Sequence, residues 1–216
     1  MKCVICEIRK ARRHCPGVQG DICTLCCGNE REVTINCPLS CPYLREARLH
    51  EKLVPWDPAT APNKEIDVPE YFLRQHNDLM LYFGVGLFAG VADSGGAVDS
   101  DVREALDSLT STYRSLTKGL VYESLPVNPF AATVHQSMRK YIQNYQAQLK
   151  EHSKAELADA TTLAILVVYQ RIALTNNNGR PKGRVFISFL GQQFKEIAEQ
   201  QQKISTESES KPLIEL

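Results

Sequence analysis

CVICEIRKARRHCPGVQGDICTLCCGNEREVTINCPLSC, residues 3–41, contains all eight cysteines of a 216-residue chain. The spacings are Cys3-x2-Cys6, a lone Cys15, Cys23-x2-Cys26 with Cys27 beside it, and Cys37-x3-Cys41. A two-residue spacer turns the backbone tightly enough to aim both sulfurs at one point, which is the ligand spacing of structural zinc sites. Eight thiolates supply two four-coordinate sites with none left over. The order along the chain predicts that they interleave. Cys3, Cys6, Cys23 and Cys26 form one site, and Cys15, Cys27, Cys37 and Cys41 the other. Adjacent side chains at Cys26 and Cys27 point in different directions, which suits one ligand to each ion. His14 and His50 stay open as substitutes for a cysteine.

Local chemistry agrees with a compact metal module. Gly17, Gly20 and Gly28 stand where a knuckle needs positive φ or close backbone approach. Cys41 precedes Pro42 and the run YLREARLHEKL, so it is expected to cap a helix whose first residue is proline. A metal ligand at a helix start is how treble-clef fingers finish. Between the cysteine pairs, Glu32 to Asn36 alternates polar and apolar residues and predicts a short strand.

The segments CVIC, RRHCPG, CTLCC and CPLSC together resemble the cross-brace zinc fingers of the HIT-type, MYND and B-box families. Those families hold two ions through interleaved cysteine and histidine pairs, and usually close the second site with a histidine. Here cysteine can fill every place. The resemblance covers the first quarter of the chain. It implies a protein-interaction finger and carries over no catalytic residue.

Composition sets the wider frame. Lys and Arg balance Asp and Glu at 25 each, so no general attraction to nucleic acid or anionic lipid follows. The N-terminus MKCVICEIRK has charge and cysteine where a signal peptide needs an apolar run. The longest uncharged apolar stretch, Leu79 to Ala92, has fourteen residues, short of the roughly 20 that cross a bilayer. The expected location is therefore cytoplasmic, with no membrane partner. Thiols stay reduced there, which favours metal over disulfides.

The predicted organisation is a cysteine-rich zinc module over residues 1–53 and a proline-rich linker over 54–69. A helical bundle follows over 70–203, and a disordered tail over 204–216. The fold class is mostly α, a small treble-clef-like double-zinc module followed by a bundle of about five helices. The first helix spans about 70–92 and stops at Asp93-Ser-Gly-Gly96. It contains Gly84-Val-Gly86-Leu-Phe-Ala89, formally a dinucleotide fingerprint, but no full helix follows. Gly86 and Gly90, four apart on one face, instead predict a close helix approach.

In the second helix Val102, Leu106, Leu109, Tyr113, Leu116 and Leu120 form a seam, with Asp101 to Glu104 as a capping box. In the third, Asn128 caps, Pro129 starts, and Phe130, Val134, Met138, Tyr141, Tyr145 and Leu149 face inward. Ser153 to Glu156 is a capping box for the fourth, whose LAILVVY centre marks it as the buried helix. The fifth spans about 184–202, with Phe186, Leu190, Phe194 and Ile197 at helical spacing.

Little of this is catalytic. No Glu precedes a His by three residues, as carboxylate di-iron bundles require. There is no P-loop, Gly-x-Ser-x-Gly or His-Glu-x-x-His, and His76 and His135 stand alone. A catalytic zinc keeps an open coordination position, whereas all-cysteine sites are closed.

Two basic clusters remain: Arg9, Lys10, Arg12 and Arg13 in the finger, and Arg180, Lys182 and Arg184 before the last helix. Residues 1–53 hold nine Lys/Arg against six Asp/Glu, a balance of +3. Each zinc with four thiolates contributes about −2, so the finger's arginines are expected to offset that charge. The second cluster sits at a helix start, where orphan N–H groups favour anions, with a solvated turn as the simpler reading.

The reading that follows is a non-enzymatic zinc-finger adaptor that binds a protein partner, a second copy of itself included. Two alternatives stand beside it. A nucleic-acid-associated factor would use the clusters at 9–13 and 180–184, with weak affinity. A thiol redox sensor would release zinc on oxidation.

Overall fold

Apolar side chains gather into two cores, each drawn from a different kind of sequence. The first is built from Cys3, Cys15, Cys23, Cys26, Cys27, Cys37 and Cys41 with Ile22, Ile35 and Leu44. The second collects the seams of the helices, with Phe83, Leu106, Leu109, Met138, Ile165, Phe186 and Leu190 among its buried members. The computed structural model describes residues 1–152 and 155–194. The fold is mostly helical, with the cysteine cluster at its N-terminal end.

The small module opens with a knuckle at Cys3–Cys6 that closes on a left-handed Glu7, whose N–H donates to the Cys3 carbonyl. β1 (Arg13–Cys15) and β2 (Gly20–Ile22) follow as an antiparallel hairpin, with Arg13 opposite Ile22 and Cys15 opposite Gly20. At Gly17 in the turn, a Cβ would sit 2.6 Å from Ile35 Cγ2, so the close approach expected there is real. Gly28, by contrast, faces open space and has no positive φ. α1 (Thr24–Glu30) is capped by Cys23, and α2 (Pro42–Arg48) by Cys41 with Pro42 at its first position.

The strand expected over Glu32 to Asn36 does not form. Residues 32–34 are a turn, closed by amides of Val33, Thr34 and Ile35 on the Glu30 carbonyl. Glu32 is left-handed (φ 52°) and fully buried, which no ladder residue in that register would be.

Residues 54–69 include a 3-10 turn at Pro58–Thr60 and are tied at their start and in their second half to residues 170–177. Val54 N–H donates to the Asn177 carbonyl, and Asn63 Nδ2 donates to Gln170 Oε1 at 2.6 Å. Arg171 donates to the carbonyls of Asn63 and Ile66.

The first bundle helix is broken in two at His76, giving α3 (Glu70–Gln75) and α4 (Asn77–Ser94). Gly95, left-handed at φ 67°, ends α4 where the Gly pair predicted a stop. α5 (Asp99–Leu116) ends earlier than its seam suggested. Leu120 lies beyond the helix and is exposed. α6 (Pro129–Glu151) starts as expected, with Asn128 Oδ1 accepting from the N–H groups of Phe130 and Ala131. α7 (Asp159–Thr175) is buried on nearly every side, as its apolar centre predicted. It begins at Asp159 rather than in a box at Ser153, because Leu157 packs on the bundle core from extended chain. Ser153 and Lys154 lie outside the described residues.

Residues 185–194 form α8, with Phe186, Leu190 and Phe194 buried as their spacing required. The rest of the expected fifth helix and the 204–216 tail lie outside the described residues.

α4 packs along α6, and α5 packs against both α6 and α7. Small residues make the first contact possible. A Cβ at Gly90 would sit 3.0 Å from Val134 Cα and 3.2 Å from its carbonyl oxygen, and one at Gly86 would meet Tyr141 at 2.8 Å. Gly84 is equally crowded, by Phe194 and the Tyr169 hydroxyl. These are packing glycines, and the fingerprint-like spacing has no nucleotide-binding meaning here.

α5 starts earlier than a box at Asp101 to Glu104 would place it. Val98 is the cap residue, and its N–H donates to Asp101 Oδ2 at 2.8 Å. That register turns buried Asp99 toward the start of α8. Its carboxylate accepts from the N–H groups of Val185 (2.7 Å), Phe186 (3.1 Å) and Ile187 (3.0 Å). A cap supplied across 86 or more residues of sequence thus starts the last helix.

Two outcomes follow. Replacing Gly90→Ala should cost about 1–3 kcal/mol, because the neighbour that must yield is backbone; urea denaturation with an unchanged midpoint would contradict this. Burial pushes the Asp99 carboxyl up to about 6 against the pull of its three amide donors. Since the folded value lies above the unfolded one, the fold favours the protonated form. The contribution of Asp99 is full below about pH 4 and declines as pH rises through about 6. The stability advantage of the native chain over Asp99→Asn should therefore shrink between pH 4.5 and 7, roughly the titration window.

Candidate metal centre

The thiols of Cys3, Cys6, Cys23 and Cys26 all lie within 4.8 Å of one another. Two knuckles bring them together. In the second, Cys26 N–H donates to Cys23 Sγ at 3.4 Å, the bond that caps α1 and fixes the pair on one side of the helix start. Cys3, Cys23 and Cys26 are buried and Cys6 is half-buried. A tetrahedral ion with metal–sulfur bonds of about 2.3 Å separates its sulfurs by about 3.8 Å, so small inward shifts complete the site.

The electrostatics of the thiols fit a cation at their centre. Burial raises Cys3, but amides of Cys6, Cys23 and Ile5 overcome it and hold the thiol at about 6. Cys26 goes the other way. Burial, reinforced by the neighbouring sulfurs of Cys23, Cys6 and Cys3, pushes it up to about 12. Four sulfurs this close cannot all ionise unless positive charge stands among them. Arg9 supplies part of it from outside: despite some desolvation, the nearby sulfurs of Cys6 and Cys23 raise its guanidinium above the ordinary value. The donor set fits a thiol-seeking metal ion, and all eight cysteines are free thiols.

The remaining four cysteines face a second, looser space. Cys15, Cys27, Cys37 and Cys41 line one cavity of about 10 Å³, together with Arg31 and Tyr43. That volume suits one water-sized occupant. Among the described residues, only the first quartet has sulfurs so compactly grouped. Cys37 is pushed up by burial and then by Cys15 and Cys41 across the cavity. Guanidinium groups again lean on sulfur: Arg13 Nη1 lies 3.6 Å and Arg31 Nη2 3.9 Å from Cys27 Sγ. Arg13 also stacks over the Tyr43 ring at 4.4 Å.

Cys26 belongs to the compact quartet, whereas Cys27, its neighbour on α1, lines the second cavity. His14 borders the second cavity, but its side chain is 70% exposed and its ring lies 3.2 Å from Asp21 Oδ1, and His50 is exposed beyond α2. His76 packs at a tilt against Phe72, and His135 is buried in α6 among packed residues.

The second basic cluster is occupied by the finger itself. Arg180 donates to the Arg31 carbonyl and faces Glu51, and Lys182 Nζ donates to the Thr34 carbonyl. Arg184 donates to the carbonyls of Cys37, Gly96 and Ala97. The acceptor at the centre of this contact, Glu32, had no mark in the sequence beyond being an acid inside a cysteine-rich run. Its burial depends on partners roughly 150 residues away.

Comparison of the chain with protein-family models, with curated proteins and with solved structures returns no match.

Replacing Cys26→Ser should remove one bound metal ion per chain and abolish the NMR dispersion of the module, since such sites supply folding energy directly. A variant with full metal content would exclude this quartet as a metal centre.

Proposed function

We propose that this chain is a non-enzymatic zinc-finger adaptor of a reducing, cytoplasmic environment. It holds two zinc ions and binds a protein partner, a second copy of itself included. The observation that carries the reading is the compact quartet of Cys3, Cys6, Cys23 and Cys26. Four thiolates are the preferred donor set of structural zinc, and they leave no coordination position for a substrate. A second ion belongs with Cys15, Cys27, Cys37 and Cys41 around their shared cavity.

What such a module offers a partner is surface. The first knuckle and α1 present Val4 (52% exposed), Ile8 (80%) and Leu25 (49%) to solvent. Apolar side chains on a rigid metal-braced loop lose little entropy on binding. The nucleic-acid alternative has less to work with. Arg9, Arg13 and Arg31 face sulfur, and Arg180, Lys182 and Arg184 are committed to carbonyls and Glu51. Guanidinium and ammonium groups so engaged are poorly placed to neutralise phosphates.

Elemental analysis should find two zinc ions per chain. Fluorescence anisotropy with mixed oligonucleotides at about 150 mM salt, the physiological ionic strength, should find no tight binding. Micromolar association that weakens steeply with salt, and is lost in Arg12→Ala/Arg13→Ala, would establish the nucleic-acid reading instead. Capture of a protein from extract that persists after nuclease treatment, with the interaction lost in Ile8→Asp, is the expected result for the adaptor.

A further inference from the structure

The residues between Cys27 and Cys37, two members of the second quartet, make a loop that belongs as much to the bundle as to the finger. Arg31 sends Nη2 to Cys27 Sγ, while its carbonyl accepts from Arg180. Glu32 follows with no exposed surface. Its Oε1 accepts from Arg48 Nη2 at 2.9 Å and from Arg184 N–H at 3.0 Å, its Oε2 from Asn178 Nδ2 at 3.0 Å. Its own carbonyl accepts from Lys182 N–H at 2.8 Å. Thr34 and Cys37 offer carbonyls to Lys182 Nζ and Arg184 Nη1.

Apart from Arg31 and Arg48, every one of these donors comes from residues 178–184, the segment between α7 and α8. The same segment continues inward. Arg184 reaches Gly96 (3.0 Å) and Ala97 (3.1 Å), and the next three amides begin α8 on Asp99. The loop that carries two thiols of the second quartet is thus bonded to the segment that starts the last helix.

We propose that a thiol-seeking divalent cation bound by Cys15, Cys27, Cys37 and Cys41 controls the docking of residues 178–184, so that the second site regulates how firmly finger and bundle are joined. This rests on the two-ion reading above. The ion fixes Cys27 and Cys37 at the ends of the loop, and with them the left-handed Glu32 between. Glu32 can be buried as a carboxylate only in that arrangement, because its partners are fixed groups on α2 and on the 178–184 segment. Linkage makes the effect mutual: a docked segment pre-orders the loop and tightens the site, and a vacant site loosens the segment. The first quartet is set apart from this. Its thiols lie at Cys3, Cys6, Cys23 and Cys26, before the loop begins.

The test uses the full chain loaded with zinc and a chromogenic zinc chelator. Asn178→Ala and Arg180→Ala each remove a bundle-side donor without touching a thiol. Release of one zinc ion should be faster by about ten- to a hundredfold in either variant, the usual effect of losing a group that orients a metal ligand. The other ion should be released as in the native chain. In the reverse direction, Cys41→Ser lowers occupancy of the second site while leaving Cys37 and Glu32 in place. Hydrogen exchange should then accelerate at the amides of Lys182, Arg184 and Val185. Unchanged zinc release in both variants overturns the coupling, as does unchanged exchange in Cys41→Ser. Equal acceleration of both ions also overturns it, because that marks general loosening. A native chain with a single zinc ion fails the two-ion reading itself, a result distinct from two ions that bind independently of the segment.

Discussion

The burial of the Glu32 carboxylate is the constraint around which the two halves of the molecule are arranged. A carboxylate without solvent is tolerable only if its oxygens are fully engaged, and the cost of removing one partner is the exposure of a buried, uncompensated charge. Glu32 meets that requirement with Arg48 from its own module and with Asn178 and the Arg184 amide from the bundle. Neither half can supply the whole set. Asn178 completes the contact by also donating to Glu51. The left-handed backbone at Glu32 has the same origin: the turn that aims this side chain inward aims its carbonyl at Lys182.

Charge organises the small module as strongly as shape does. Its core is made of sulfur, so the atoms that exclude water are the ones that attract cations. Arg9 stands against the first quartet, and Arg13 and Arg31 against Cys27. This distribution explains a neutral chain with conspicuously basic stretches. The arginines lie against sulfur inside the molecule, and Arg13 uses the face of its guanidinium on Tyr43 as well.

The bundle solves a different problem. α7 is apolar nearly all round and must be enclosed, which α5 does on one side while Tyr169 anchors it to α4 through the Met80 carbonyl. α4 and α6 come close because Gly86 and Gly90 leave room. The connection from α7 into α8 then has to turn back over the finger, and Asp99 receives the new helix with three amide bonds. Arg184 sits where the three paths meet. It bonds the α4–α5 turn and Cys37, and burial lowers its guanidinium against the attraction of Glu32 and Asp99.

Much of this was legible residue by residue. Ligand spacing is local, so the pairing of Cys3 with Cys6 and of Cys23 with Cys26 could be read directly, and so could the Cys41–Pro42 helix start and the Asn128–Pro129 cap. Helical periodicity is local too, and it placed the buried α7 and the facing glycines of α4. What stayed hidden depended on distant partners. The run from Glu32 to Asn36 has the alternation of a strand, yet Asn178 and Arg184 draw Glu32 into a turn. The cluster at 180–184 looks like an anion site until Arg31, Thr34 and Cys37 take its donors. Asp99 looks like an ordinary residue of its own helix and caps another. A sequence by itself determines which groups must be paired, because that follows from burial and charge. Which partner each one finds across the chain is decided only by the tertiary structure, because the geometry of a hydrogen bond is set in space and not by distance along the backbone.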